Sequence, residues 1–372
     1  MIDRRAFLGS AGAGLAAACA PAAAPLPPAA TAPSGAAGWE RQWQELSEAA
    51  KKEGKVGVYT TSSVGYRKVF EAFEAAFPGI GVEHQQATSS AAMAPKLLEE
   101  RKAGVYELDV LVASGSDVLS KFLPAQAIDP LRPLLFRPDI LDEKAWRNGF
   151  EGNWVDDEKK WGFAMEIALT AWAVDTNQVK DGEIQDFNDL LDPKWKGRII
   201  MLDVRSGSTY NQMTGVRLAR GEEALRKLIV DQQPFFTRDT RQVVEALVRG
   251  TYAISNNANQ AELQEFLEAG VGKNVKRVRV KDAMHSSSAG VLWAVNKAPH
   301  PKAAQLLMNW LLTKEAQAAY SKFLGRNSLR ADVDLYDPLT FPDPGVKYFY
   351  SGNLASVPEF EKTQKLLTDW VR

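Results

Sequence analysis

One recurring unit constrains this chain more than any other feature: a short apolar strand that stops at a hydroxyl-rich turn and passes directly into an amphipathic helix. Lys55-Val56-Gly57-Val58-Tyr59 reads as a strand that runs into Thr60-Thr61-Ser62-Ser63. The helix that follows carries Val69, Phe70, Phe73 and Phe77 on one face and is stopped by Pro78-Gly79. Ile80-Gly81-Val82-Glu83-His84 is a second strand, with Thr88-Ser89-Ser90 as the cap of a helix bearing Met93, Leu97 and Leu98. Asp109-Val110-Leu111-Val112 is a third, and Ser114-Gly115-Ser116-Asp117 opens the next helix. Successive units of this kind build a parallel α/β sheet whose ligand crevice lies beyond the carboxyl ends of its strands, where the polar turns fall.

The pattern starts again after Trp195-Lys196-Gly197. Arg198-Ile199-Ile200-Met201-Leu202 is a strand, Arg205-Ser206-Gly207-Ser208-Thr209 is a turn opening a helix, and Tyr252-Ala253-Ile254-Ser255 stops at Asn256-Asn257-Ala258-Asn259. Two long apolar strands stand apart from these units, residues 168–174 after Glu166 between the two series, and residues 291–295 after His285-Ser286-Ser287-Ser288-Ala289-Gly290 near the end of the second. Both are expected to cross between lobes. The length left after the N-terminal segment, about 330 residues, favours two lobes over one core. The expected division is residues 39–167 with 289–325 in one lobe and 168–288 with 326–372 in the other.

A formal net charge of -1 offers no electrostatic footprint for nucleic acid, so no nucleic-acid partner is expected. The single cysteine, Cys19, excludes disulfides and thiolate metal sites. Residues 1–19 resemble a bacterial twin-arginine export signal: Arg4-Arg5 precede a Gly/Ala-rich run too short and too weakly apolar to span a bilayer, which takes about 20 apolar residues. Cys19 follows Ala16-Ala17-Ala18 and resembles the lipidated cysteine of a lipobox, with Leu15 one place further upstream than that pattern has it. The competing reading is an ordinary small-residue cleavage site. Residues 20–38 are Ala/Pro-rich, with Leu26 the sole large apolar residue, and read as a spacer. A periplasmic location, with or without a lipid tether at Cys19, is therefore expected.

From residue 39 onward the chain resembles the periplasmic solute-binding proteins of ATP-driven importers, nearest their ferric-ion-binding branch. The resemblance is carried by residues 56–62, by Phe187-Asn188-Asp189-Leu190-Leu191-Asp192-Pro193-Lys194-Trp195-Lys196-Gly197-Arg198-Ile199, by Asn256-Asn257, and by residues 303–312. It implies an α/β, two-lobed clamshell fold of type II with a parallel or mixed sheet in each lobe. It also implies one solute held between the lobes, and delivery to a permease of the ABC type in the cytoplasmic membrane. Ferric-binding members continue from the Asn-Asn strand end into two tyrosines; here those positions are Ala258 and Asn259, neither of which supplies an anionic ligand to a hard cation. The sequence sets no two phenolates side by side. No metal and no cofactor are expected, and ferric iron held by non-standard ligands stays as an alternative.

The remaining candidates suit an anion such as a carboxylate, a phosphonate or a sugar phosphate. Ser206, Gly207, Ser208 and Thr209 at a helix start combine N–H groups, hydroxyls and the positive end of a dipole. In iron-binding relatives the corresponding turn holds a small anion together with an asparagine that matches Asn256, and Arg238 aligns with a further anion contact able to bind two oxygens. Thr60, Thr61, Ser62, Ser63 and Ser114 either cap helices or face the cleft. Asn257, Asn259 and His285 join the same list, the last as cleft lining or as a structural histidine. Glu166 is expected to receive an ammonium or hydroxyl group, or to make a hinge ion pair. No Gly-x-Ser-x-Gly, His-Glu-x-x-His, Walker or Cys-x-x-Cys motif is present, so a binding protein rather than an enzyme is expected. An exported transferase acting on a phosphorylated solute is the rival. A monomer that works by hinge closure completes the expectation.

Overall fold

A computed structural model describes residues 36–371 apart from 62, 64, 88, 89, 257, 259, 288, 289 and 347. The residues expected to form an export signal, Cys19 and most of those expected to form a spacer, like Ser62, Asn257 and Asn259, lie outside the described residues.

The first sheet takes its parallel strands from the first series. β1 (Lys55–Thr61) pairs in parallel with β2 (Gly81–Ala87) and β3 (Val110–Ala113). β1 is buried from Val56 to Thr60, as a central parallel strand must be with helices on both faces. The helix Gly65–Ala76 turns Tyr66, Val69, Phe70 and Phe73 inward. β4 (Ile128–Asp129) and β5 (Gly162–Ala164) complete this sheet by antiparallel pairing with a strand from much later in the chain, residues 291–295.

The expected single strand over residues 168–174 is two. β6 (Ala168–Leu169) leaves the first lobe and β7 (Trp172–Asp175) enters the second sheet. The break falls where the Thr170 N–H donates to the His285 carbonyl at 3.2 Å, which takes Thr170 out of either ladder. The second sheet has the order β11-β7-β10-β8-β9, built from β8 (Ile199–Leu202), β9 (Phe235–Thr237), β10 (Ile254–Asn256) and β11 (Val275–Val278). Here β8, β9 and β10 are parallel while β7 and β11 run against their neighbours, so the sheet is mixed.

The chain returns through β12 (Ser286–Ser287), which pairs antiparallel with β6, and β13 (Val291–Val295), which inserts between β3 and β4. The β6–β12 ribbon is the double crossing between the lobes. Each lobe has its own core. Val58, Phe70, Phe73, Trp293 and Leu307 belong to the first, and Trp172, Trp195, Met201, Met213 and Leu228 to the second. Leu329, from the segment expected with the second lobe, packs in the first core, whereas the helix Val357–Trp370 packs on the helix Gly207–Arg220 of the second lobe. That packing includes Tyr210 against Phe360 and an Arg217 Nε donation to Thr363 Oγ1 at 2.8 Å.

Candidate functional site

In the first lobe, the edge formed by the carboxyl ends of β1 and β3 gathers several polar groups. Thr60 is fully buried, and its hydroxyl lies 2.8 Å from His84 Nε2 and 3.0 Å from the Thr61 carbonyl, to which it donates. Burial, helped by the Arg67 charge, brings the His84 pKa down to about 4, so the imidazole is neutral at pH 7. The Thr61 hydroxyl is buried near the Tyr66 phenol without a hydrogen bond of normal geometry. Ser63 accepts at its carbonyl from Tyr66 N (3.3 Å) and Gln86 Nε2 (3.1 Å), and its Oγ accepts from Gly65 N at 3.4 Å, which makes it the cap of the helix Gly65–Ala76. Ser114 donates its N–H to Ser90 Oγ at 2.8 Å and sets its own Oγ 3.4 Å from Ser116 Oγ.

The second lobe presents the matching edge. Asn256 is buried and bonded at both ends of its amide: Oδ1 accepts from Leu202 N at 3.0 Å and Nδ2 donates to Gln212 Oε1 at 3.2 Å. Thr209 donates to the Leu202 carbonyl at 3.1 Å. These two residues lock the ends of β8 and β10 to the helix Gly207–Arg220. Ser206, the residue before that helix, makes no side-chain cap hydrogen bond; its Oγ lies 3.0 Å from Ser208 Oγ instead. The first turn of a fourteen-residue helix is thus left with two hydroxyls and its own N–H groups. Beside it, Asp203 accepts from Arg205 N (2.9 Å), Arg205 Nε (2.6 Å) and Arg238 Nε (3.3 Å). The Arg205 hydrogen bonds, opposed by burial and aided by Arg238, hold the Asp203 carboxyl at about 2. The Arg238 side chain is 76% exposed, so most of its guanidinium faces solvent next to this turn.

The lobes approach one another at one point of these edges. The Tyr210 phenol, one turn into the helix Gly207–Arg220, is raised in pKa first by burial and then by the charge of Asp117 at the first lobe's Ser114-Gly115-Ser116-Asp117 turn. At that turn a Cβ on Gly115 would sit 2.0 Å from the Gly352 carbonyl oxygen, so only glycine allows the C-terminal segment to come this close.

The hinge carries the last two candidates. His285 is buried, with Nδ1 3.1 Å from Thr170 Oγ1, and burial brings its pKa down to about 3. Glu166, also buried, accepts from Gly290 N (3.0 Å) and Arg326 Nη1 (2.9 Å) at Oε1 and from the Tyr320 phenol (3.2 Å) at Oε2. The structure does set two phenols together, Tyr66 and Tyr320, with oxygens 3.3 Å apart. Both are buried and raised in pKa, chiefly by burial, so they are neutral hydroxyls rather than phenolates. Among the described residues no three His, Cys, Asp or Glu side chains are grouped to hold a metal. Sequence reasoning missed Arg326, Tyr66 and Tyr320, which sit far along the chain from Glu166 and carry no local motif. A recess of about 770 Å3 lined by Leu218, Met284, Tyr348 and Phe349 opens on the second lobe and contains none of the residues above.

The fold is shared with solved proteins of known cargo. Iron-bound HitA from Pseudomonas aeruginosa superposes with a TM-score of 0.66 at 16% identity, over 86% of this chain and 99% of that one. The periplasmic binding protein AfuA from Actinobacillus pleuropneumoniae, with fructose-6-phosphate bound, gives 0.62 at 18% identity over 86% and 98%. The Trichodesmium protein IdiA (FutA), in complex with iron and citrate, gives 0.65 at 16% over 86% and 99%. With this two-lobed periplasmic-binding-protein fold in place, and with the sequence model of the bacterial extracellular solute-binding proteins matching residues 68–346, three quarters of the chain, the protein belongs to that family.

Proposed function

We propose that this solute-binding protein captures a small anionic solute, a carboxylate, phosphonate or sugar phosphate, between its lobes and hands it to an ABC permease without turnover. The observation that carries the reading is the uncapped first turn of the helix Gly207–Arg220. Ser206 and Ser208 hold their hydroxyls 3.0 Å apart there, beside the exposed guanidinium of Arg238. A helix start of this kind stabilises negative charge through its N–H groups and dipole. Asn256 and Thr209 tie the strand ends to this helix, and in this reading Thr61, Ser63 and Ser114, at the strand ends of the other lobe, complete the site. AfuA, whose structure holds fructose-6-phosphate, shows that this fold accommodates a phosphorylated solute.

Closure follows from differential contacts. If the closed form makes up one part in a hundred of the free protein, a ligand must favour it by roughly 5.5 kcal/mol for it to dominate. Two or three hydrogen bonds to a charged group, about 1.5–3 kcal/mol each, supply that amount. The β6–β12 ribbon is the element that bends. Export through the twin-arginine-like signal, a tether at Cys19 and a monomeric state belong to the same proposal. Ferric iron is the weaker reading, because the Tyr66–Tyr320 phenols are neutral and position 258 is a buried alanine.

Thermal shift and calorimetry with fructose-6-phosphate, inorganic phosphate, phosphonoacetate, citrate and ferric citrate test this directly. Ser206→Ala with Arg238→Gln is expected to weaken the best anion at least tenfold. Equal affinity in that double variant, or a response to ferric ion with none to any anion, overturns the reading.

A further inference from the structure

We infer that Arg326 is the first lobe's contact for the oxyanion of the solute, aimed into the cleft by Glu166; this rests on the anion reading above. The sheet register places it. Val291 lies opposite both Ala113 and Ala164, and Thr60 opposite Val112. The carboxyl ends of β1 and β3, Gly290 just before β13 and Glu166 just after β5 therefore share one edge of the first sheet. This is the edge whose Asp117 charge reaches Tyr210 of the second lobe.

Arg326 is delivered to this edge from 160 residues away in sequence. The helix Lys314–Leu324 ends at Gly325, whose left-handed φ of 65° reverses the chain. Arg326 is then fixed through its own backbone, with its N–H on the Ser321 carbonyl (3.2 Å) and its carbonyl accepting from Ser321 Oγ (2.8 Å). Its Nη1 donates to Glu166 Oε1 at 2.9 Å. That carboxylate has only 6% of its side chain exposed and is itself held by Gly290 N and Tyr320.

The guanidinium is placed rigidly, yet a quarter of the side chain remains exposed. Nη1 is committed to Glu166 and the guanidinium also meets the Tyr320 phenol, whereas the edge formed by Nε and Nη2 makes no hydrogen bond of normal geometry to another described residue. That edge is the planar fork that pairs with two oxygens of a carboxylate or phosphate. A cation with its position fixed beforehand loses little entropy on binding, which favours a compact oxyanion over an extended neutral solute. The charge of Arg326 is balanced by Glu166 when the cleft is empty, so the anion adds a negative charge that the helix start of the second lobe must share. Both lobes then hold the same group, and closure follows from its binding.

The test uses the full chain with inorganic phosphate, citrate and fructose-6-phosphate as probes. Calorimetry on wild type, Arg326→Gln, Arg326→Lys and Ser206→Ala is expected to show at least a tenfold loss for Arg326→Gln. Arg326→Lys keeps the pair with Glu166 but lacks the fork, and should still lose several-fold. Phenylglyoxal labelling of Arg326 in the wild-type protein, read by peptide mass spectrometry, should fall when a bound anion covers it, and this needs no variant to fold. Full affinity in Arg326→Gln, or unprotected labelling at saturating anion, while Ser206→Ala weakens binding, overturns this inference and leaves the anion reading standing. No binding of any anion by the wild type overturns both.

Discussion

Acidification should destabilise the fold, and His285, where the chain crosses between the lobes, sets the scale. Its imidazole is buried, is bonded to Thr170 Oγ1 through Nδ1, and has its pKa depressed by burial from 6.5 to about 3. The depressed value means that the folded protein binds fewer protons than the unfolded chain between pH 6.5 and 3. Stability contributed by the neutral imidazole is therefore full above pH 6.5 and drains away as pH falls toward 3. With those two values the loss is about 2 kcal/mol at pH 5 and about 3 kcal/mol at pH 4, relative to pH 8. His84 adds a smaller loss of the same sign, no more than about 1 kcal/mol at pH 5, because it is only half-buried and solvent screens its charge. Urea unfolding of the wild type and of His285→Gln at pH 8, 6.5, 5 and 4 separates the contributions. The glutamine removes the titration while keeping a polar partner for Thr170. The free-energy gap between the two proteins should shift by about 2 kcal/mol in favour of the variant between pH 8 and 5. Parallel curves, with the gap unchanged within experimental error, would refute the assignment.

Three further outcomes can be checked by the same unfolding assay or by proteolysis. Asn256→Ala strands the Leu202 N–H and the Gln212 Oε1 acceptor in a dry interior and should cost roughly 2–3 kcal/mol, so an effect below 1 kcal/mol would contradict the bonding described. Gly290→Ala would put a methyl group 2.1 Å from the Tyr320 hydroxyl and 3.0 Å from the Glu166 carboxyl carbon. The displacement should destabilise by about 1–3 kcal/mol and shift the Arg326 labelling rate with it. Gly115→Ala forces the Gly352 carbonyl away, and limited proteolysis should then cut near residue 352 faster than in the wild type; identical digestion patterns would show that the contact is not made.

What the sequence made legible was whatever has a short period. The apolar strands and the three- and four-residue spacing of Val69, Phe70 and Phe73 gave both sheets and their order of units. The hydroxyl-rich turns were found, but not which hydroxyls are free. β1 runs two residues further than its apolar run suggests, because the β-branched Thr60 and Thr61 extend the ladder to Ala87, and the cap passes to Ser63. The apolar run over residues 168–174 has no internal signal for its break at Thr170, since the group that breaks it is the His285 carbonyl 115 residues later. The place of Asn256 and Thr209 at strand and helix ends marks them as candidate ligand contacts, but their bonds to Leu202 and Gln212 join separate segments and have no local signal in the sequence. The partnership of Glu166 with Arg326 and Tyr320 joins segments with no common motif, so only the folded chain reveals it.

The C-terminal segment adds a third leaf to the hinge. Ser286 N donates to the Phe349 carbonyl and Ser351 N to the Ser286 carbonyl, at 2.9 and 3.0 Å, so the backbone around residue 350 lies alongside the β6–β12 ribbon. One side of it continues into the helix Val357–Trp370 bound to the second lobe, and Gly352 touches Gly115 of the first. A ribbon widened in this way still bends about an axis running across its strands but resists twisting about its length. On the hinge-closure proposal above, the lobes should therefore swing in one plane, presenting the same rim to the permease at every degree of opening.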